Sequence, residues 1–267
     1  MQKFNDFCIA TGMRPESARK YCERMRLFQE HFGNLSEIAP EDCNKVFAKF
    51  ESNGFREATK NVYKITIRKY FKSKGSIPEY IKPYLRIREY HIVRPLKTML
   101  NDEEMNEVMS LCRNLAEKTF IGIMMETGCR IGELLIARTE DVAFDDMGAL
   151  IIVDFKKTLR RIRIIRSASL LKEYISNRQA RDKLFDFTYD QIRNVFRCRI
   201  NKRLHKHLSP HMFRKMAATR LAPHMTEYQL CQAMGWVIGS KSARHYVFMS
   251  GRDVDPVLAK MNRNSWT

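Results

Sequence analysis

The chain has 267 residues, 44% of them hydrophobic and 29% charged, so its composition excludes a disordered or collagen-like polymer and allows one large domain or two ordinary ones. Lysine and arginine number 48 against 30 acids, and a net charge of +18 is large for an enzyme that acts on small anions. This excess favours a long polyanion as partner, above all nucleic acid. No apolar run approaches the roughly 18 residues of a membrane-spanning helix, and we expect neither a membrane anchor nor a secretory leader.

The seven cysteines are scattered along the chain, and none forms a CxxC pair or stands near a histidine at zinc-finger spacing. An odd number of isolated cysteines is typical of reduced thiols. We therefore expect a cytoplasmic protein without a structural metal.

The first 80 residues predict a small helical domain whose helices are punctuated by proline and glycine. The helix predicted over 56–74 carries a basic residue at every fourth position, and such a stripe winds only slowly round the helix axis. A solvated face would explain the stripe, but no acid follows Glu57 in this helix, so we favour contact with DNA phosphates. The stripe consists of Arg56, Lys60, Lys64, Arg68 and Lys72.

Prolines interrupt the next segment, and we expect a linker over 81–95 followed by a second domain over 96–267. That domain begins with helical patterning and changes character between Ala149 and Ile165. A β-branched run at 150–153 and period-two alternation at 161–164 predict a hairpin there. Helices return from about Ser169 to the end. The predicted fold class is therefore mainly α (α+β), with a small antiparallel sheet in the second domain.

Four short signals in the second domain could carry chemistry, although each has an ordinary explanation when it stands alone. An arginine and a glutamate one helical turn apart are usually a surface ion pair, and two lysines at a hairpin turn are usually solvated. A His-x-x-Arg pair on a helix is common, and a single tyrosine most often packs. In chain order the signals are Arg130 with Glu133, Lys156 with Lys157, His211 with Arg214, and Trp236 followed by Tyr246.

Taken together and in this order, the four signals resemble the tyrosine recombinase (integrase) family, and the resemblance covers the whole chain. Segment 235–255 is particularly similar to archaeal virus and plasmid integrases and to archaeal Xer-type recombinases. The resemblance implies a helical core-binding domain and a catalytic domain that form a C-shaped clamp around duplex DNA. It implies no cofactor and no metal.

The resemblance also implies a role for each residue of the four signals. Cutting and rejoining DNA without ATP requires that the bond energy be stored in a 3′-phosphotyrosine, and Tyr246 is the implied nucleophile, with Tyr228 the weaker alternative. Two guanidinium groups can clamp the non-bridging oxygens of the transition state, which suits Arg130 and Arg214. The supporting roles are proton transfer at His211 and at Lys157, with Lys156 as second choice, a hydrogen bond from Trp236, and orientation of the arginines by Glu133.

Basic residues outside these signals are further candidates for contact with DNA. The stretch 193–207 contains no acid and leads directly into Pro210 and His211. A solvated helix end is the alternative, but we favour contact with the DNA backbone. Together with the basic strand of the hairpin, the candidates in this half of the chain are Arg161, Arg163, Arg197, Lys202 and Arg203.

The partner that the resemblance implies is double-stranded DNA with a specific core site, because the N-terminal part is short for an additional arm-binding domain. Recombination of this kind implies four protomers on two DNA sites, and whether the free protein is a monomer stays open. The task stays open between integration or excision of a mobile element, Xer-like resolution of chromosome or plasmid dimers, and relaxation of the type IB topoisomerase kind. A DNA-binding remnant without activity is the non-enzyme alternative. An amphipathic pattern over 254–261 predicts a tail helix that docks either on a neighbouring protomer or in cis.

Overall fold

The computed structural model describes residues 1–88, 99–155, 159–176, 178–250 and residue 258. The chain divides into two compact units, residues 1–94 and residues 95–267. The described parts of both units are mostly helical, and the second unit contains a small antiparallel sheet, which confirms the predicted fold class. Among the described helices, none is long and apolar enough to cross a membrane.

The described part of the first unit contains four α-helices, and proline and glycine mark both ends of the second. Pro15 occupies the first turn of the second helix, and Gly33, with a φ of 98°, ends it. Phe28 and Phe50 pack against each other in a core made largely of aromatic side chains. The helices are α1 (Gln2–Ala10), α2 (Pro15–Phe32), α3 (Cys43–Ser52) and α4 (Glu57–Lys72).

The segment that follows α4 packs on the first unit and does not begin a linker at residue 81. A short 3₁₀ helix (Lys82–Leu85) returns to the helices, and Ile81 and Leu85 are buried in their core. Burying a side chain of this size contributes about 1.5–3 kcal/mol. This burial holds the proline-rich segment on the helices. The segment lacks helical periodicity, and for that reason its sequence resembles a linker.

A sheet interrupts the helices of the second unit at the place that the β-branched run predicts. Strand β2 (Gly148–Asp154) pairs with β3 (Leu159–Ile164), and Ile151 lies opposite Ile162. The strands of the predicted hairpin are thus confirmed, and its turn at 156–158 lies outside the described residues. Strand β1 (Val142–Asp145) pairs with the other side of β2 and was not predicted, because its side chains are mostly exposed and do not alternate in burial.

Most of the described helices of the second unit pack around a large hydrophobic core, and residues between 218 and 247 form a second, smaller apolar cluster. Helix α6 (Leu115–Thr127) lies within the large core and packs against α11 (Pro210–Leu221), and α13 (Lys241–Ser250) packs against both α11 and α12 (Glu227–Met234). The contact between α6 and α11 brings together segments that lie almost a hundred residues apart in the chain. The helices are α5 (Asp102–Ser110), α6 (Leu115–Thr127), α7 (Ile131–Ile136), α8 (Ala168–Ile175), α9 (Tyr189–Val195), α10 (Asn201–Leu204), α11 (Pro210–Leu221), α12 (Glu227–Met234) and α13 (Lys241–Ser250).

Candidate active site

The end of α6 lies directly against α11 because a glycine stands at the contact. Gly128 follows α6 in the left-handed conformation, with a φ of 60°. A Cβ at this position would lie 2.7 Å from the Cβ of Ala217 and 3.3 Å from the Cα of Arg214, both on α11. The close approach brings Arg130, which precedes α7, into the neighbourhood of Arg214.

The Arg214 side chain is buried, and backbone carbonyls from two separate elements hold its guanidinium. Nη1 donates to the carbonyl oxygen of Gly128 at 2.8 Å, and Nη2 donates to the carbonyl oxygen of Met234. Burial, followed by the charges of Arg130 and Arg160, lowers the pKa of Arg214 to about 10, so the group remains protonated at neutral pH.

Arg130 lies at the start of α7 and is the more accessible of the two predicted arginines. Its side chain is 41% exposed, and its Nη1 donates to Oε1 of Glu133 at 2.7 Å. Its backbone N–H donates to Oε2 of the same carboxylate at 2.6 Å. Glu133 therefore holds both the backbone and the guanidinium of Arg130.

The structure adds a third arginine, Arg160, which is not part of the four sequence signals. It lies on β3 with its side chain only 3% exposed, and its Nη1 forms a short ion pair with Glu133. The alternation of the strand indicates this position, because Arg160 lies on the same face of β3 as Ile162 and Ile164, which face the core. Period-two alternation thus predicts an inward arginine at this position.

Three consecutive carbonyl oxygens at the end of α12 each accept a hydrogen bond from a different guanidinium. The C-terminal end of a helix carries partial negative charge, so it is a suitable anchor for cationic side chains. The pairs are Arg160 with Ala233 at 2.9 Å, Arg214 with Met234, and Arg130 with Gly235 at 3.4 Å.

Glu133 is the carboxylate of the cluster, and it accepts hydrogen bonds from Arg130 and Arg160. Burial alone would raise the pKa of Glu133, but the hydrogen bond and charge of Arg160, together with the hydrogen bonds of Arg130, lower it below its ordinary value. Two guanidinium groups bind the ionised carboxylate and the charge of Arg214 lies close to it, so the cluster has an excess of two positive charges. Such a cluster is suited to binding a phosphate diester.

Trp236 lies between the buried arginine and the predicted nucleophile. The guanidinium carbon of Arg214 is 5.4 Å from the centre of the indole ring. The ring of Tyr246, on α13, stacks on the same indole with 5.5 Å between ring centres and 10° between ring planes. The alternative, Tyr228, is 52% exposed on α12 and accepts a hydrogen bond from Gln232 of its own helix.

Of the remaining residues of the predicted site, His211 is described, whereas the two lysines of the hairpin turn are not. His211 is exposed in the first turn of α11, where Ser209 caps the helix, and it precedes the buried Arg214 by three residues. Lys156 and Lys157 lie outside the described residues. The strand residues on either side of them are described, and Phe155 contacts Gly132 of α7, since a Cβ on that glycine would lie 2.7 Å from the ring.

The basic stripe of α4 is not a single phosphate-binding face, and the prediction is wrong for Lys60 and Lys64. Lys64 is 2% exposed and its Nζ lies 2.6 Å from Oε1 of Glu51, while Lys60 pairs with Glu51 and Glu57. The missing acid is supplied by α3, which a search along α4 alone cannot detect. Three members of the stripe retain access to solvent, namely Arg56 and Lys72, which are exposed, and Arg68, which is half-buried.

Acids from elsewhere also neutralise part of the basic stretch 193–207. Arg203 pairs with Glu107 at 2.6 Å and Arg199 with Glu117 at 2.7 Å, so α5 and α6 supply the charges that the stretch itself lacks. On the sheet, Arg163 pairs with Asp145 at 2.7 Å. The other predicted contacts of this unit, Arg161, Arg197 and Lys202, are exposed.

Comparisons with known proteins identify the family and the fold. The family model described as the phage integrase family matches residues 98–249. The tyrosine recombinase XerA of Saccharolobus solfataricus is 25% identical over 224 residues, which cover 81% of this chain and 76% of that protein.

Two solved structures share the fold. The Tn1549 transposon integrase in complex with a circular-intermediate DNA has a TM-score of 0.70 at 18% identity, and the match covers 97% of this chain and 98% of that one. A lambda integrase tetramer bound to a Holliday junction has a TM-score of 0.66 at 14% identity, with 92% and 75% covered. Because the family match spans more than half of the chain, the protein belongs to the phage integrase family of tyrosine recombinases, enzymes that break and rejoin DNA strands.

Proposed function

We propose that this protein is a site-specific recombinase that integrates and excises a mobile DNA element, with Tyr246 as the nucleophile. The observation that carries the proposal is the stacking of Tyr246 on Trp236, whose ring also contacts the Arg214 guanidinium. Through this indole, the ring of Tyr246 and the buried Arg214 of the same chain share one neighbour, which supports a role for Tyr246 at the arginine cluster. A phenol has a reference pKa of about 10, so a tyrosine nucleophile needs a group that accepts its proton and positive charge at the phosphate.

The proposed reaction exchanges one phosphate ester for another. The Tyr246 oxygen attacks the scissile phosphorus while the bond from phosphorus to the 5′-oxygen breaks, which leaves a 3′-phosphotyrosine and a free 5′-hydroxyl. The phenolic proton passes to His211 or to water, and Lys157 donates a proton to the departing 5′-oxygen. Religation is the reverse reaction with the 5′-hydroxyl of the partner strand.

The arginine cluster would stabilise the transition state of both steps. Negative charge develops on the two non-bridging oxygens, and donors held in place before the reaction need no reorganisation when it occurs. Backbone carbonyls and Glu133 hold Arg130 and Arg214 in this way. Trp236 contributes an indole N–H, which can donate a hydrogen bond but cannot accept a proton.

The proposed partner is a double-stranded core site bound by four protomers on two DNA segments, in the cytoplasm of the host cell. The lambda integrase tetramer on a Holliday junction supports this assembly through its shared fold. The exposed Arg56, Lys72 and Arg161 would contact the DNA backbone.

Xer-like dimer resolution is the second candidate, and the similarity to XerA favours it specifically. The two tasks use the same chemistry and differ in the DNA sites that are joined. An enzyme that recombines two identical sites on one circle acts as a resolvase, whereas one that joins two different sites acts as an integrase. Relaxation of supercoiled DNA without any exchange between duplexes would instead indicate the type IB topoisomerase alternative.

A covalent-capture experiment tests the proposal. Nicked suicide duplexes with a randomised core are incubated with the protein, and adducts that resist denaturing detergent are recovered and sequenced, which also identifies the site. We expect an adduct with the wild-type protein and with Tyr228→Phe but none with Tyr246→Phe. Arg130→Ala and Arg214→Ala should bind the same duplex yet lose adduct formation by about 10²–10³-fold. Full activity in either arginine variant contradicts the clamp, and failure of the wild-type protein to form an adduct contradicts the proposed function.

A further inference from the structure

Arg160 occupies a position that an aliphatic side chain would ordinarily fill. Its neighbours of the same parity on β3, Ile162 and Ile164, are buried in the hydrophobic core. The guanidinium nonetheless enters the protein interior, where Nη1 pairs with Glu133 and Nη2 donates to the Ala233 carbonyl at 2.9 Å. Its Nε is buried and has no hydrogen-bond partner among the described residues.

The buried ion pair of Arg160 and Glu133 is expected to stabilise the folded state less than an apolar pair of the same size. Desolvation of two charges offsets most of their attraction, and replacing such a pair by neutral side chains of similar volume is often neutral or stabilising. The unpaired Nε adds a further cost of burial. The contacts of Arg160 therefore point to a task other than stability.

The contacts of Arg160 join two parts of the candidate active site. Through Glu133, Arg160 acts on the carboxylate that holds the Arg130 guanidinium at 2.7 Å. Through Ala233, it holds the end of α12, from which the next two residues lead to Trp236. Gly235 permits this approach, because a Cβ there would lie 2.8 Å from Cδ of Arg160.

Arg160 also lies close in sequence to the hairpin turn that carries the predicted lysines. It is the second residue of β3, and it is tied to Glu133 of α7. At the end of β2, Phe155 contacts Gly132, the neighbour of Glu133 in the sequence. Both strands of the hairpin are thus anchored to the helix that begins after Arg130.

We propose that Arg160 is a positioning residue for DNA cleavage, which sets the Arg130 guanidinium through Glu133 and holds the end of α12 beside it. This inference rests on the proposed function, since it concerns the rate of the cleavage step. Arg160 does not itself contact the DNA, because its side chain is enclosed by protein.

Two variants test the proposal in the full-length protein with the captured suicide duplex. Arg160→Lys keeps the charge but cannot bridge Glu133 and Ala233 together, and it should slow adduct formation by about tenfold. The neutral pair Arg160→Met with Glu133→Gln tests whether the ion pair stabilises the fold, and it should melt at or above the wild-type temperature. It should also slow adduct formation by about 100-fold, because it releases Arg130 from the Glu133 carboxylate as well. Binding of the duplex should stay within about twofold in both variants.

Arg178→Met is the matched control. The Arg178 side chain is 20% exposed, and its Nη2 donates to Asp186 and to the Lys183 carbonyl, both at 2.7 Å, but these contacts lie outside the arginine cluster. We expect its rate of adduct formation to stay within about twofold of wild type.

A modified substrate separates positioning from a general structural effect. One non-bridging oxygen of the scissile phosphate is replaced by methyl, and each diastereomer is assayed separately. In the diastereomer that lacks the oxygen facing Arg130, the tenfold difference in the rate of adduct formation between wild type and Arg160→Lys should shrink to about twofold. The position of the Arg130 guanidinium no longer matters there, because the oxygen that it would bind is absent. An equal loss on all substrates would mean that Arg160 is merely structural, which overturns the inference.

The two proposals fail in different ways. If the wild-type protein forms the Tyr246 adduct and Arg160→Lys forms it at the wild-type rate, the positioning role is overturned and the proposed function stands. If the wild-type protein forms no adduct, the proposed function fails and the role of Arg160 fails with it.

Discussion

Glu51 of α3 neutralises two lysines that extend inward from α4, and we predict that Glu51→Gln destabilises the first unit. Lys64 is 2% exposed, and Oε1 of Glu51 lies 2.6 Å from its Nζ. In Glu51→Gln, the Nζ of Lys60 still has Oε1 of Glu57 at 3.4 Å and the backbone carbonyl oxygen of residue 51 at 2.6 Å. The loss of the carboxylate therefore affects Lys64 most. Removing one partner of a buried pair costs about 3–5 kcal/mol, and because Glu51 is itself 28% exposed we expect about 2–3 kcal/mol.

Hydrogen exchange of the α4 amides in the full-length protein measures this loss as a lower free energy of local opening. The pH dependence gives a second readout. Burial alone would raise the pKa of Glu51, but hydrogen bonds from Lys64 and Lys60 lower it below its ordinary value of 4.5. A carboxyl group with a lowered pKa stabilises the folded state above the unfolded pKa, and this contribution is lost as the pH falls through the folded pKa. The stability of α4 should therefore fall below about pH 4.5 in the wild type and change less in Glu51→Gln.

Binding to non-specific duplex DNA checks the same reasoning from the functional side. Each phosphate contact contributes about 0.9 to the slope of log K against log salt concentration. Lys64→Met should leave this slope unchanged, whereas Arg56→Met, at an exposed position of the same stripe, should reduce it by about 0.9. Equal changes in the two variants, together with unchanged exchange rates in Glu51→Gln, would refute the buried pairing.

Two further predictions concern backbone conformation. Gly128→Ala should cost about 3 kcal/mol or more in urea unfolding, because Gly128 has a φ of 60° and its new Cβ would lie 2.7 Å from that of Ala217. A small effect would mean that the contact of α6 with α11 relaxes freely. His205→Gly should instead raise the melting temperature, by an amount equivalent to about 0.5–1 kcal/mol, because His205 has a φ of 50° after α10. A lower melting temperature would show that the imidazole contributes more than the strain costs.

The sequence by itself predicts features that depend on residues close together in the chain. Pro15 and Gly33 mark the ends of α2, and the β-branched run in β2 predicts that strand. The order of the motif residues indicates the family, and the family match over 98–249 confirms it. In each case the physical cause is local, since dihedral preferences, helix termini and alternating side chains act over a few residues.

Only the tertiary structure decides which charges meet. Arg160 pairs with Glu133 across 27 positions, Arg199 with Glu117 across 82, and the Arg130 guanidinium meets the Gly235 carbonyl across 105. A basic residue has the same local pattern whether it faces DNA or a distant carboxylate. The pairing depends on which helices and strands pack together, and that packing is a property of the whole core. For this reason the stripe on α4 predicts a phosphate-binding face that is only partly present, and Arg160 becomes recognisable only when β3, α7 and α12 are assembled.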